Sequence, residues 1–138
     1  MNYDTFIDRV GQRAKLSSEQ AVDLTRATLE TLADRITGGE ALDLAAQLPK
    51  PLQALLRKTR ESADSFGVGE FVGQVAERAS VDEMTARDGA RAVFVTLHEA
   101  ITGGEFDDVM AQLPEEFEDL FSPMMTPGGA AGRPAAGQ

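Results

Sequence analysis

Six carboxylates crowd one short stretch of the chain: Asp107, Asp108, Glu115, Glu116, Glu118 and Asp119. Such density can ligate a hard cation, exchange a proton, or dock a basic surface. A calcium loop needs about twelve residues with alternating oxygen ligands and a mid-loop glycine, and the stretch has no such pattern. A di-iron bundle needs Glu-x-x-His on two helices, whereas His98 is the single histidine. General acid–base chemistry needs one pair set apart by its surroundings, and nothing in the sequence sets one apart. No metal site, no cofactor and no catalytic residue are expected, and the six carboxylates are a candidate protein-docking patch.

Other reactive residue types are scarce. There is no cysteine, which removes disulfides, thiolate ligands and cysteine nucleophiles together. His98 has only the generic carboxylates Glu99 and Glu105 near it in sequence, and a structural or solvent-facing role is expected. The loops Thr37-Gly38-Gly39-Glu40 and Thr102-Gly103-Gly104-Glu105 expose backbone N–H groups at a helix start, where anions bind. Each already supplies its own carboxylate, so helix capping is the expected role. No phosphate loop or nucleophile elbow is present, and the chain does not read as an enzyme.

Those two loops belong to a larger recurrence. Ile36-Thr37-Gly38-Gly39-Glu40 and Ala46-Gln47-Leu48-Pro49 recur as Ile101 to Glu105 and Ala111 to Pro114, an offset of 65 residues. At that offset 4–56 aligns with 69–121 without a gap, and 21 of the 53 pairs are identical. This is the pattern of a tandem duplication. Residues that recur are expected to build the fold rather than one site. At about 55 residues each half would bury only about 60% of its unfolded surface alone, so the halves are expected to share a core.

The spacing predicts four helices per half. Phe6, Ile7, Val10 and Ala14 share one face of a helix over about 4–14. Ser17 and Gln20 form a capping box that opens the longest helix, about 18–37, striped by Ala21, Thr25, Leu29, Leu32 and Ile36. Gly38 is expected as the left-handed helix end and Gly39 as the next cap. A short helix over about 40–48 stops before Pro49, and a fourth, about 50–58, contributes Leu52, Leu55 and Leu56. In the second half the faces are Phe71, Val72, Val75 and Ala79; then Ala86, Ala90, Phe94, Leu97 and Ile101; then Phe106, Val109, Met110 and Leu113; then Phe117, Leu120 and Phe121. No segment alternates with period two. The expected fold is all-α, about eight helices in two four-helix repeats: repeat one 3–58, linker 59–66, repeat two 67–121. The Pro, Gly and Ala of 122–138 read as a disordered tail.

Charge separates the halves. Residues 1–65 carry nine Lys and Arg against ten Asp and Glu; residues 66–121 carry three Arg against thirteen Asp and Glu, a net −10. Lys50, Pro51, Gln53, Ala54 and Arg57 give way to Glu115, Glu116, Glu118, Asp119 and Ser122 at the same register, while Leu52 and Leu55 stay apolar. An overall net charge of −10 argues against nucleic-acid binding. No apolar run approaches the ~18 residues of a membrane helix, and the first residues hold no signal-like core, so a cytoplasmic protein is expected.

The pattern Ala21 to Ile36, then Thr-Gly-Gly-Glu-Ala, then Leu-Ala-Ala-Gln-Leu-Pro, resembles a bacterial family known as domain of unknown function 2267. The run Val109 to Phe121 looks like that family's other half, and the resemblance covers about 3–121. It implies an all-helical tandem fold and brings no catalytic residues with it.

Two functions are open at this level. The first is an interaction module whose acidic half docks a basic partner or, through Lys50, Arg57, Lys58 and Arg60, another copy of itself. The second is a helical domain holding a small apolar ligand between the repeats, near Phe94, Met110 and Phe117. An acidic surface mimicking DNA is a variant of the first.

Overall fold

Local chemistry at each helix start explains where the elements begin. The computed structural model describes residues 1–58 and 60–120. Helix α1 (Tyr3–Ala14) opens where the Asn2 side chain accepts from the Thr5 N–H, and it buries Phe6, Ile7 and Val10. α2 (Ser18–Arg35) opens on the capping box: Ser17 accepts from the Gln20 N–H and the Gln20 side chain accepts from the Ser17 N–H. Its buried face includes Ala21, Leu24, Thr25, Leu29 and Leu32.

The corner after α2 differs from the expectation. Ile36 is extended, with φ −114°, and the Thr37 hydroxyl accepts from the Glu40 N–H, so Thr37 caps α3 (Gly38–Ala46). Gly38 is helical rather than a left-handed stop, and Gly39 is not the cap. A hydroxyl acceptor satisfies an orphan N–H that a glycine leaves open, and one extended residue is enough to redirect the chain. The Gly38 N–H belongs to the corner, donating to the Glu61 carbonyl at 2.9 Å.

The expected fourth helix is shorter. α4 (Lys50–Gln53) runs into a 3-10 helix, Ala54–Leu56, and Arg57 is extended. Lys58 is drawn away from this helix: its ammonium donates to the Ala33, Ile36 and Ser62 carbonyls, closing the C-terminal end of α2. The linker is tied to the same corner, with Asp64 N–H donating to the Asp34 carbonyl at 2.8 Å.

The second set follows: α5 (Val68–Ala79), α6 (Glu83–Ala100) and α7 (Gly103–Ala111), with 12, 18 and 9 residues, the lengths of α1, α2 and α3. Where an eighth helix reaching Phe121 was expected, Glu115–Leu120 is a 3-10 helix. Phe121, Ser122 and the tail expectation for 122–138 lie outside the described residues, as does Thr59.

The helices exchange partners. α1 packs on α6, α5 packs on α2, α2 and α6 pack on each other, and α3 meets α7. One buried cluster draws on both sets, from Phe6 and Leu24 to Phe94 and Phe117. Phe71 lies edge-on to Phe94 and Phe117, with centroids 5.9 and 5.3 Å away. Where α2 crosses α6, Leu24 lies so close to Gly89 that a Cβ there would stand 2.5 Å from Leu24 Cδ1. The described residues are helical or irregular, with no strand, and the fold is all-α.

Candidate functional site

Polar groups join the two sets of helices in matched pairs. The Arg13 guanidinium donates to Thr96 Oγ1 at 2.9 Å and pairs with Glu99. Arg78, 65 positions on, donates to Thr31 Oγ1 at 2.7 Å and pairs with Asp34 at 2.8 Å. Both hydroxyls donate in turn to the carbonyl four residues back, Ala92 or Ala27. Around the α3 and α7 starts, Thr37 N–H donates to Gln112 Oε1 and Thr102 N–H to Gln47 Oε1, both at 2.8 Å. Each Thr that caps a helix is thus braced by a glutamine from the other set.

That bracing places two carboxylates against one another. Glu40 and Glu105 each occupy the third residue of their helix, directly after a Thr-Gly-Gly turn. Glu105 is 8% exposed, and the Oε2 atoms of Glu40 and Glu105 are buried with no hydrogen-bond partner among the described residues. Asp43 joins them from the next turn of α3: one carboxylate oxygen from each of Glu40, Asp43 and Glu105 lies within 4.8 Å of the others. Burial first, then Glu40, which can share a proton with Glu105 and repels its charge, with Asp43 and Asp108 behind, push the Glu105 carboxyl up to about 8. A helix N-terminus favours a carboxylate, so burial and like charge outweigh the dipole here. No Lys or Arg forms an ion pair with Glu40, Asp43 or Glu105 among the described residues.

The expected docking residues are distributed differently. Asp107 and Asp108 lie exposed on α7, and Glu115, Glu116, Glu118 and Asp119 lie exposed on the 3-10 helix. Glu116 is partly used by the fold: its carboxylate accepts from Val68 N–H at 3.0 Å, capping an α5 start that has no side-chain cap of its own. Asp119 offers its carbonyl to Arg91 at 3.3 Å, leaving its carboxylate outward. Asp108 acts on Glu105 through its charge. None of the six forms an ion pair with a described residue.

His98 is half-buried, with its ring edge-on to Phe106 and the centroids 4.5 Å apart. Phe94 and Phe117 are both buried with Phe71 between them, and Arg35 sits over the Phe117 and Phe66 rings at 5.9 Å. Arg35 also donates to the Phe66 and Gln112 carbonyls.

Sequence reasoning treated Glu40 and Glu105 as helix-start residues and left Asp43 aside. A signal was present: Glu-x-x-Asp follows Thr-Gly-Gly twice, with the acids identical at both places, although a cap needs only the threonine.

The fold and this crossing define an all-helical protein whose two sets of helices exchange partners and converge on paired carboxylates. The sequence model of the family described as Uncharacterized conserved protein (DUF2267) matches residues 3–120, and the chain belongs to that family. No curated protein matches it. No helix among the described residues is long and apolar enough to cross a membrane.

Proposed function

We propose that this chain is a non-catalytic, cytoplasmic interaction module of bacterial origin, formed by duplication of one helical unit, whose acidic second half docks a basic protein partner. The observation that carries this reading is the exposed row Glu115, Glu118 and Asp119: three carboxylates without an ion pair among the described residues, on a segment whose Phe117 and Leu120 are locked into the core. A rigid acidic ridge suits electrostatic steering, which contributes orientation and association rate more than affinity. Self-association through the first half's cations is the weaker form of the reading, because Lys58 is engaged at the end of α2 and Arg60 pairs with Asp64 at 3.0 Å.

The test uses a labelled oligolysine peptide and the full chain at low and high salt. Binding should weaken as salt screens the charges, and the triple variant Glu115→Gln, Glu118→Gln, Asp119→Asn should bind about tenfold more weakly. Glu116 is left alone because it caps α5. Asp4→Asn, Asp8→Asn, Glu19→Gln removes the same charge from exposed first-half positions. Equal loss in both triple variants means net charge alone is being read, and the docking assignment then falls.

A further inference from the structure

We propose that the crossing of α3 and α7 is a binding site for an oxygen-preferring divalent cation of about calcium's size, ligated by Glu40, Asp43 and Glu105. The donor set is carboxylate only, which suits hard cations and disfavours the nitrogen- and sulfur-seeking metals. Two ligands of one ion cannot lie farther apart than twice the bond length. That limit is about 4.8 Å for calcium's ~2.4 Å bonds and about 4.2 Å for magnesium's ~2.1 Å bonds. The three carboxylate oxygens all lie within 4.8 Å of one another, inside calcium's limit, and calcium tolerates irregular carboxylate geometry where magnesium demands a near-ideal octahedron and keeps its waters.

Exposed acidic clusters are common without an ion; what separates this one is Glu105. More than nine-tenths of its surface is removed from water, yet its Oε2 has no hydrogen-bond partner among the described residues. A buried carboxylate oxygen without a donor is costly, and here the nearest groups are two more carboxylates. Salt bridges or hydrogen-bond donors normally resolve such a burial, and the described residues supply neither. Displacing the Glu105 proton, a divalent cation would reduce the three negative charges of the ionised carboxylates to one and satisfy the buried oxygens together.

A proton shared between Glu40 and Glu105 is the competing occupant. It would relieve that pair but give no reason for the exposed Asp43 to bring its oxygen into the same small volume instead of turning to water. Asp43 also supplies the open side: three carboxylates cannot fill the six to eight positions calcium takes, and water would reach the rest past an exposed residue. The frame is braced for this task, since Thr37 and Thr102, which cap the two helix starts, are each held by a glutamine across the crossing.

The experiment uses the full chain stripped with EDTA and titrated with CaCl2, MnCl2 or MgCl2, followed by calorimetry and thermal melting at constant ionic strength. The expected result is one saturable Ca2+ or Mn2+ per chain with a raised Tm, and weaker Mg2+ binding. Glu105→Gln and, separately, Asp43→Asn should each weaken Ca2+ binding at least about tenfold; Asp43 is exposed, so its variant tests the site even if the Glu105 variant folds poorly. Asp8→Asn, Glu19→Gln, which removes two exposed charges on α1 and α2, should leave it unchanged. The proposal is overturned by stability that depends on pH but not on any of the three cations, the mark of a proton alone, or by binding that survives both ligand variants.

Discussion

Glu40 and Glu105, 65 positions apart in the chain, meet across the α3–α7 crossing with their Oε2 atoms buried and without a hydrogen-bond partner among the described residues. Other matched polar residues of the two sets, such as Arg13 and Arg78 or Gln47 and Gln112, reach donors or acceptors in the opposite set. This pair reaches only itself and its acidic neighbours. Charge repulsion at one point of the molecule therefore opposes the packing that surrounds it.

The first consequence is a pH dependence. The folded chain holds the Glu105 proton up to about 8, whereas the ordinary value is 4.5, so the native state binds more protons than the unfolded state between those limits. Stability from this group is full below about 4.5 and is lost as pH rises through about 8. The groups acting on it are Glu40, Asp43 and Asp108, all acidic. In EDTA, urea denaturation should show stability falling across this window. Glu105→Gln should flatten the fall and be the more stable form above it, by about 1–3 kcal/mol.

The starts of α2 and α6 were legible because their chemistry is local. Ser17 and Gln20 bond each other as their spacing predicts, and Asp82 accepts from Thr85 N–H at 2.7 Å. What the sequence left unread depends on the opposite set. Recurrence of Glu40 and Asp43 as Glu105 and Asp108 suggested fold-building residues, but when two sets of helices exchange partners, a recurring residue can face its own counterpart. The same blindness covers the ends: Lys58 reads as a cation at the end of its own helix, and only the packed chain shows it closing α2.

Removing one shared hydroxyl tests the bracing between the sets. Thr96 is fully buried; it accepts from Arg13 and donates to the Ala92 carbonyl. Thr96→Val keeps the shape and strands one guanidinium N–H, so a loss of about 1–3 kcal/mol is expected. Thr31→Val should cost a similar amount through Arg78. Denaturant midpoints with an unchanged m-value would report both. A loss at one position only would mean the two contacts are not equivalent.

A different threonine should respond in the opposite direction. Thr28 is fully buried and its hydroxyl has no partner among the described residues. The residue at the matching place in α6 is Val93, also fully buried. Thr28→Val removes an unmet polar group at nearly constant volume, and a gain of about 1 kcal/mol is expected by thermal or chemical denaturation. An unchanged or lower midpoint would mean that water or a shifted rotamer already satisfies the hydroxyl.

Leu24 and Gly89 also occupy matching places, and one fills the space that the other leaves. A methyl group at 89 would meet Leu24 Cδ1 at 2.5 Å, Cγ at 2.6 Å and Cβ at 3.1 Å, so more than the tip of the side chain must move. Alanine in a helix interior is worth about 1 kcal/mol over glycine, and in isolation Gly89→Ala would stabilise α6. Overpacking at a buried crossing costs about 1–3 kcal/mol and should win, giving a net loss of up to about 2 kcal/mol. The decisive measurement is a double-mutant cycle. In a Leu24→Ala background the two closest contacts are gone and only the 3.1 Å approach to the retained Cβ remains, so the same glycine substitution should become much less costly, neutral or stabilising. A coupling energy near zero would mean that α2 and α6 do not approach this closely in solution, and the partner exchange built on that crossing would need to be redrawn.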